Sequence, residues 1–138
     1  MFVDASAIVA ILTREADADE LANTLEAARS PITSAIAVFE ATLGICRKRH
    51  TSVAEAQEDV SEFLGTAGVR AVPITSTEAE AALDAFSRYG KGRGHPAQLN
   101  LGDCFAYAVA KTYRTQLLFK GEDFTKTDIR PANKSKEV

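Results

Sequence analysis

Apolar residues recur along the chain in two alternating patterns, short uncharged runs and longer stretches with helical spacing. Met1-Phe2-Val3 reads as a short buried strand, followed by a helix through Leu12 and another from about Ala16 to Ala28. Pro31-Ile32-Thr33 is a second strand. Ser34 then caps a helix that places Ile36, Phe39, Leu43 and Cys46 on one face and ends at Arg47-Lys48-Arg49-His50. A further helix runs from about Val53 to Leu64 and stops at Gly65 or Gly68. Arg70 to Ile74, interrupted by Pro73, reads as a third strand, and Thr75 to Tyr89 as a helix with Ala79, Ala82, Leu83 and Phe86 inward. The helix from Leu101 to about Tyr113 leads into a fourth strand, Leu117-Leu118-Phe119, and a fifth is expected to begin at Ile129. Strands and helices that alternate throughout predict an α/β sandwich around a mostly parallel sheet.

A length of 138 residues with 46% hydrophobic content suits one domain, spanning 1–133, with a polar, frayed tail at 134–138. The opening Met1-Phe2-Val3-Asp4 has no basic or apolar leader, and no uncharged run approaches the roughly 20 residues that span a bilayer. A soluble, cytoplasmic protein without a membrane partner is therefore expected. Cys46 and Cys104 lie in apolar helical stretches and read as buried thiols rather than a disulfide or zinc site.

The net charge of −3 argues against a general nucleic-acid coat protein. The cations are nevertheless clustered. Arg47 to His50 close a helix, where they complement its dipole or hold a polyanion. Arg88, Lys91, Arg93 and His95 surround the loop Gly90-Lys91-Gly92-Arg93-Gly94-His95-Pro96, whose glycine spacing and lack of Lys-Ser/Thr exclude a P-loop.

Four carboxylates fall where local sequence does not neutralise them. Asp103 stands in Leu99-Asn100-Leu101-Gly102-Asp103-Cys104-Phe105, and the seven residues after it carry no charge. An ionised Asp in such company needs a helix N-terminus, a cation or a metal. With Asn100 as N-cap it occupies the third helical position, close to a capping box. Asp4 follows the first strand, at the carboxyl end where open α/β sheets bind ligands, or acts as a simple N-cap. Glu40 has Ile36, Ala37, Leu43 and Gly44 at helical spacing, and so no local ion pair. Asp123 lies in the turn Gly121-Glu122-Asp123-Phe124 beyond the fourth strand, with Glu122 as the alternative acid.

Acids from several element ends, without a His or Cys cluster, point to a hard cation, Mg²⁺ or Mn²⁺, with water and substrate phosphate completing its shell. Such a site suits hydrolysis of a phosphodiester bond. Ser6 either contacts water or the scissile phosphate there, or is a first-turn hydroxyl. A receiver-type signalling domain does not fit, because Thr75-Ser76-Thr77 follows the third strand where a phosphoacceptor Asp is needed.

Three motifs in order resemble the PIN-domain ribonucleases, specifically the VapC-type toxins of bacterial toxin–antitoxin pairs. They are Met1-Phe2-Val3-Asp4-Ala5-Ser6; Tyr89-Gly90-Lys91-Gly92 with His95-Pro96-Ala97, Leu99-Asn100 and Gly102-Asp103-Cys104-Phe105-Ala106-Tyr107; and Leu118-Phe119-Lys120-Gly121-Glu122-Asp123-Phe124 with Thr127-Asp128-Ile129. The resemblance covers nearly the whole chain. It implies a three-layer α/β/α sandwich with a mostly parallel sheet of four to five short strands. It also implies a metal-dependent endoribonuclease with Asp4 and Asp103 as direct ligands and Glu40 a ligand directly or through water. Many PIN domains carry Thr/Ser-x-Asp in the closing motif, where this chain has Phe119-Lys120-Gly121, so Asp123 is a peripheral or second-metal ligand. The implied partners are RNA, a cognate VapB-type antitoxin and a second copy of the chain. Lys91 and Arg93 are expected to contact phosphate or an antitoxin tail. The competing expectation is an inactive PIN-like domain that only binds its partner.

Overall fold

Parallel pairing of very short strands organises the chain. In the computed structural model, which describes residues 1–133, β1 (Phe2–Val3) is followed by α1 (Ala5–Leu12) and α2 (Ala18–Glu26). Next come β2 (Ile32–Ser34), α3 (Ala35–Arg49), α4 (Val53–Ala67) and β3 (Arg70–Val72). The chain closes with α5 (Ser76–Tyr89), α6 (Leu101–Thr112) and β4 (Leu117–Leu118). The tail expected at 134–138 lies outside the described residues. None of the described helices is long and apolar enough to cross a membrane.

The sheet order is β3-β2-β1-β4 and every pairing is parallel, with Phe2 opposite Ile32 and Leu117, and Ser34 opposite Val72. Alternation along each strand sends neighbouring residues to opposite faces. Phe2, Ile32 and Leu117 join the core beneath α5 and α6, whereas Val3 and Leu118 join the one beneath α1 to α4. Two cores on one sheet make the three-layer α/β/α sandwich. Because the chain moves from β1 to β2 and β3 on one side and returns to β4 on the other, strand order reverses at β1. The crevice outside the carboxyl ends of β1 and β4 is the place where such sheets bind ligands.

Several expected details differ. The buried stripe of α3 is Ala37, Ala41, Thr42 and Ile45, while Ile36, Leu43 and Cys46 are half-buried and Phe39 is exposed. The cause is close helix packing: a Cβ on Gly44 would lie 2.7 Å from Val9 Cγ2, so small residues face inward and bulkier ones are displaced. On α5, Ala82 and Ala85 face the core, Ala79 is half-buried, and Leu83 and Phe86 are exposed. Together with Leu101, Cys104 and Phe105 of α6 they line an apolar groove. The fifth strand at Ile129 reduces to a single bridge between Leu117 and Pro131, since proline offers no N–H to extend a ladder. Likewise β3 ends at Val72, ahead of Pro73, and α2 is shorter at both ends than its periodicity suggests.

Within the sheet, the Thr33 hydroxyl donates to the Val3 carbonyl at 2.8 Å with no solvent access. This bond fixes β2 against the residue that precedes Asp4. Thr33→Val keeps the shape but leaves that carbonyl short of a partner, so equilibrium denaturation should show a loss of about 1–3 kcal/mol.

Candidate active site

Asp4 leaves β1 and caps α1. Its φ and ψ of −74° and 155° are extended, and its Oδ2 accepts from the Ser6 backbone N–H at 3.0 Å and from the Ser6 hydroxyl at 2.5 Å. The Ser6 Oγ in turn accepts from the Lys120 backbone N–H at 3.0 Å, and Asp4 N–H donates to Leu118 O at 3.0 Å. Ser6 therefore joins the carboxyl ends of β1 and β4 and orients Asp4. Its hydroxyl is engaged at the cleft wall, between the Asp4 carboxylate and the Lys120 N–H.

Asp103 is both things the sequence allows. A reciprocal capping box joins its Oδ2 to the Asn100 N–H at 3.1 Å and its N–H to Asn100 Oδ1 at 2.9 Å. Its other oxygen takes no hydrogen bond among the described residues, and Asp103 lines a cleft together with Asp4, Glu40 and Asp123. Glu40 reaches this cleft from α3 without a hydrogen bond or ion pair among the described residues. Its carboxylate lies against Gly102: a Cβ built there would stand 2.1 Å from Glu40 Oε2 and 2.3 Å from Oε1. Asp123 is exposed at the rim, in a turn that Gly121 permits with φ of 101°. Glu122 points to a different depression, so the structure gathers Asp123 and not its alternative.

Burial without compensation sets the electrostatics. Asp4 is 5% exposed, and desolvation raises its pKa despite the two Ser6 hydrogen bonds, with the Asp123 charge adding to the rise. Glu40 is raised by its own burial and then by Asp4. Asp103 is pushed up to about 7, first by burial and then by the charges of Asp123, Asp4 and Glu40, against the Asn100 N–H that favours ionisation. Nearby cations do not relieve this. Lys120 pairs with Glu15 at 3.1 Å and Asp17 at 2.9 Å, and Lys48 pairs with Glu15 at 2.8 Å.

The donor set is all carboxylate oxygen, which suits Mg²⁺ or Mn²⁺. Among the described residues no three His, Cys, Asp or Glu side chains already form a group that would hold a metal ion. Mutual repulsion keeps such acids apart, and a cation supplies the attraction that would draw them together.

Lys91 and Arg93 do not line this cleft. Gly92 and Gly94 adopt φ of 84° and 85°, and the loop bonds to itself: Lys91 N–H donates to Leu99 O at 2.9 Å, and Arg93 N–H to Gly90 O at 3.0 Å. Its glycines serve turn geometry rather than a phosphate cradle. The Arg93 guanidinium lies 5.9 Å from the Phe86 ring centroid, beside the apolar groove.

Arg47 was grouped by sequence with the basic helix end, yet the structure separates it from its neighbours. Lys48 pairs with Glu15 and Arg49 with Asp59, whereas Arg47 is exposed on the cleft wall with no ion pair among the described residues. The signal was its spacing of seven from Glu40, two helical turns along the same face.

Residues 1–130 match the PIN domain family. The chain is 42% identical to a VapC ribonuclease of Rhizobium meliloti over 139 aligned positions, covering 93% of this chain and 98% of that protein. Among solved structures, the fold is similar to Mycobacterium tuberculosis VapC20, described as a sarcin-ricin loop cleaving toxin, with a TM-score of 0.71 at 18% identity over 94% of this chain and 98% of the other. It is also similar to a chain of a toxin–antitoxin complex from Klebsiella pneumoniae, with a TM-score of 0.65 at 20% identity over 92% of each chain.

The raised Asp103 fixes the sign of a pH effect. Between the ordinary carboxylate value of about 4 and its folded value of about 7, the folded chain binds more protons than the unfolded one. Stability in EDTA should therefore fall as pH rises through that window and level off above it. Asp103→Asn should flatten the slope and melt at pH 8 no lower than the parent. Melts from pH 5 to 8 check this; an unchanged slope with a lower melting point would mean that Asp103 is only a cap.

Proposed function

Because the chain belongs to the PIN domain family and to its VapC ribonucleases, we propose that it is the ribonuclease toxin of a toxin–antitoxin pair, hydrolysing RNA phosphodiester bonds endonucleolytically in the acidic cleft. The observation that carries this reading is the convergence of Asp4, Glu40, Asp103 and Asp123, none neutralised by a side-chain cation among the described residues, at the strand ends where the sheet order reverses. Asp4, Asp103 and Glu40 would hold a Mg²⁺ or Mn²⁺ ion, with Asp123 at the rim. Such an ion, when bound, acidifies an attacking water and offsets charge on the departing oxygen.

The chain's own groups supply the rest. Ser6 holds the Asp4 carboxylate in one orientation. Asn100 does the same for Asp103 through one carboxylate oxygen, and leaves the other without a hydrogen bond among the described residues. Arg47, a cation on the cleft wall without an ion pair among the described residues, is available to a backbone phosphate of RNA. Against an inactive partner-binding domain stands Glu40, which has neither a capping role nor a partner among the described residues yet is held in the same cleft. The cognate partner is a VapB-type antitoxin, the site of action is the cytoplasm, and a second copy of the chain covers the apolar groove between α5 and α6, where Leu83 is 70% and Leu101 68% exposed.

Purified protein free of antitoxin should cleave RNA with Mg²⁺ or Mn²⁺ and not in EDTA, and Asp4→Asn or Asp103→Asn should abolish cleavage while the chain stays folded. Cleavage that persists in EDTA would overturn the metal reading. Mn²⁺ at a hundredfold excess over Kd should raise wild-type stability by about 2.7 kcal/mol. Arg47→Ala should weaken RNA binding and lower the salt slope by about 0.7, one single-strand phosphate contact. An unchanged slope would return Arg47 to the helix dipole.

A further inference from the structure

We infer that Gly102 is a positioning residue for Glu40: its missing side chain is the space in which the Glu40 carboxylate sits. The inference rests on the metal-site reading above. A Cβ at Gly102 would meet Glu40 Oε2 at 2.1 Å, Oε1 at 2.3 Å and Cδ at 2.4 Å, all inside any tolerable contact. The three nearest obstructing atoms belong to the end of one flexible side chain, and none is backbone. A methyl group added here is therefore accommodated by Glu40 turning away, and the fold bears little of the cost. Glycine is otherwise a poor choice at this position. It lies in the first turn of α6, in ordinary helical backbone where alanine is the better helix former, and no positive φ requires it. The residue that local stability disfavours is the one that lets α3 bring its carboxylate to the N-terminus of α6, beside Asp103.

The test sets metal affinity against stability. Mn²⁺ titration calorimetry and thermal melts would be run on the full chain as wild type, Gly102→Ala, Glu40→Asp, Glu40→Gln and the double variant Gly102→Ala/Glu40→Asp. Gly102→Ala should melt at or above the wild-type temperature in EDTA while binding Mn²⁺ about tenfold or more weakly, the scale on which misplaced ligands act. Shortening the side chain by one methylene withdraws it from the added methyl. Glu40→Asp should therefore weaken binding in the parent but restore much of it in Gly102→Ala, a reversal of sign that a packing role does not produce. Wild-type affinity in Gly102→Ala, or a double variant worse than either single one, would overturn the inference. So would a Gly102→Ala chain that does not fold, because the clash would then fall on the fold. If Glu40→Gln binds Mn²⁺ as wild type does, Glu40 is not a ligand and both readings fail together.

Discussion

Uncompensated negative charge is the constraint around which this molecule is arranged. Buried carboxylates normally find a cation or take up a proton, and here the lysines beside the cleft are turned to Glu15 and Asp17 at its edge. Asp4, Glu40 and Asp103 are left with raised pKa values, first through their burial and then through the charges of neighbouring acids, Asp123 among them. The fold tolerates this because each acid also has a local structural reason to stand where it does. Asp4 caps α1, Asp103 closes a capping box, and Glu40 occupies the gap over Gly102. Two of these three charges are carried on caps that the helices need in any case, and Glu40 is the exception.

The sheet supplies the convergence. With only two or three residues per strand, it has little freedom of register, and the alternation of Phe2 with Val3 and of Leu117 with Leu118 commits each face to its own layer of helices. The residues that follow β1 and β4 are then forced to the same end of neighbouring strands. The Ser6 hydroxyl bridges that junction, donating to the Asp4 carboxylate and accepting from the Lys120 N–H.

Strand identity and the acids were legible in the sequence because both depend on local signals: short uncharged runs, and charges without partners at helical spacing. The inward faces of α3 and α5 were not. Periodicity ranks residues by hydrophobic bulk, whereas the close approach of α1 to α3 at Gly44 selects Ala37 and Ala41 over Phe39. On α5, Leu83 and Phe86 have the helical spacing of a core stripe but serve a surface groove. Asp103 resisted a single reading for a sound reason, since the capping residue and the cleft residue are one and the same side chain. The sequence left Arg47 between dipole partner and polyanion contact, and gave no signal that Gly102 packs against Glu40, because these placements exist only in relation to the cleft and to α3, across distances that no local window spans.

The order β3-β2-β1-β4 also has a consequence for how the cleft is assembled. β1, the first strand in chain order, lies in the interior of the sheet, and one of its two neighbours, β4, is separated from it by more than a hundred residues. Without β4, β1 has an open edge, and the Ser6 hydroxyl has no Lys120 N–H to accept from. Asp4, Glu40 and Asp103 all precede β4 in the chain, and only Asp123 follows it. Docking of β4 on β1 therefore closes the sheet and brings the last acid to the other three in one step.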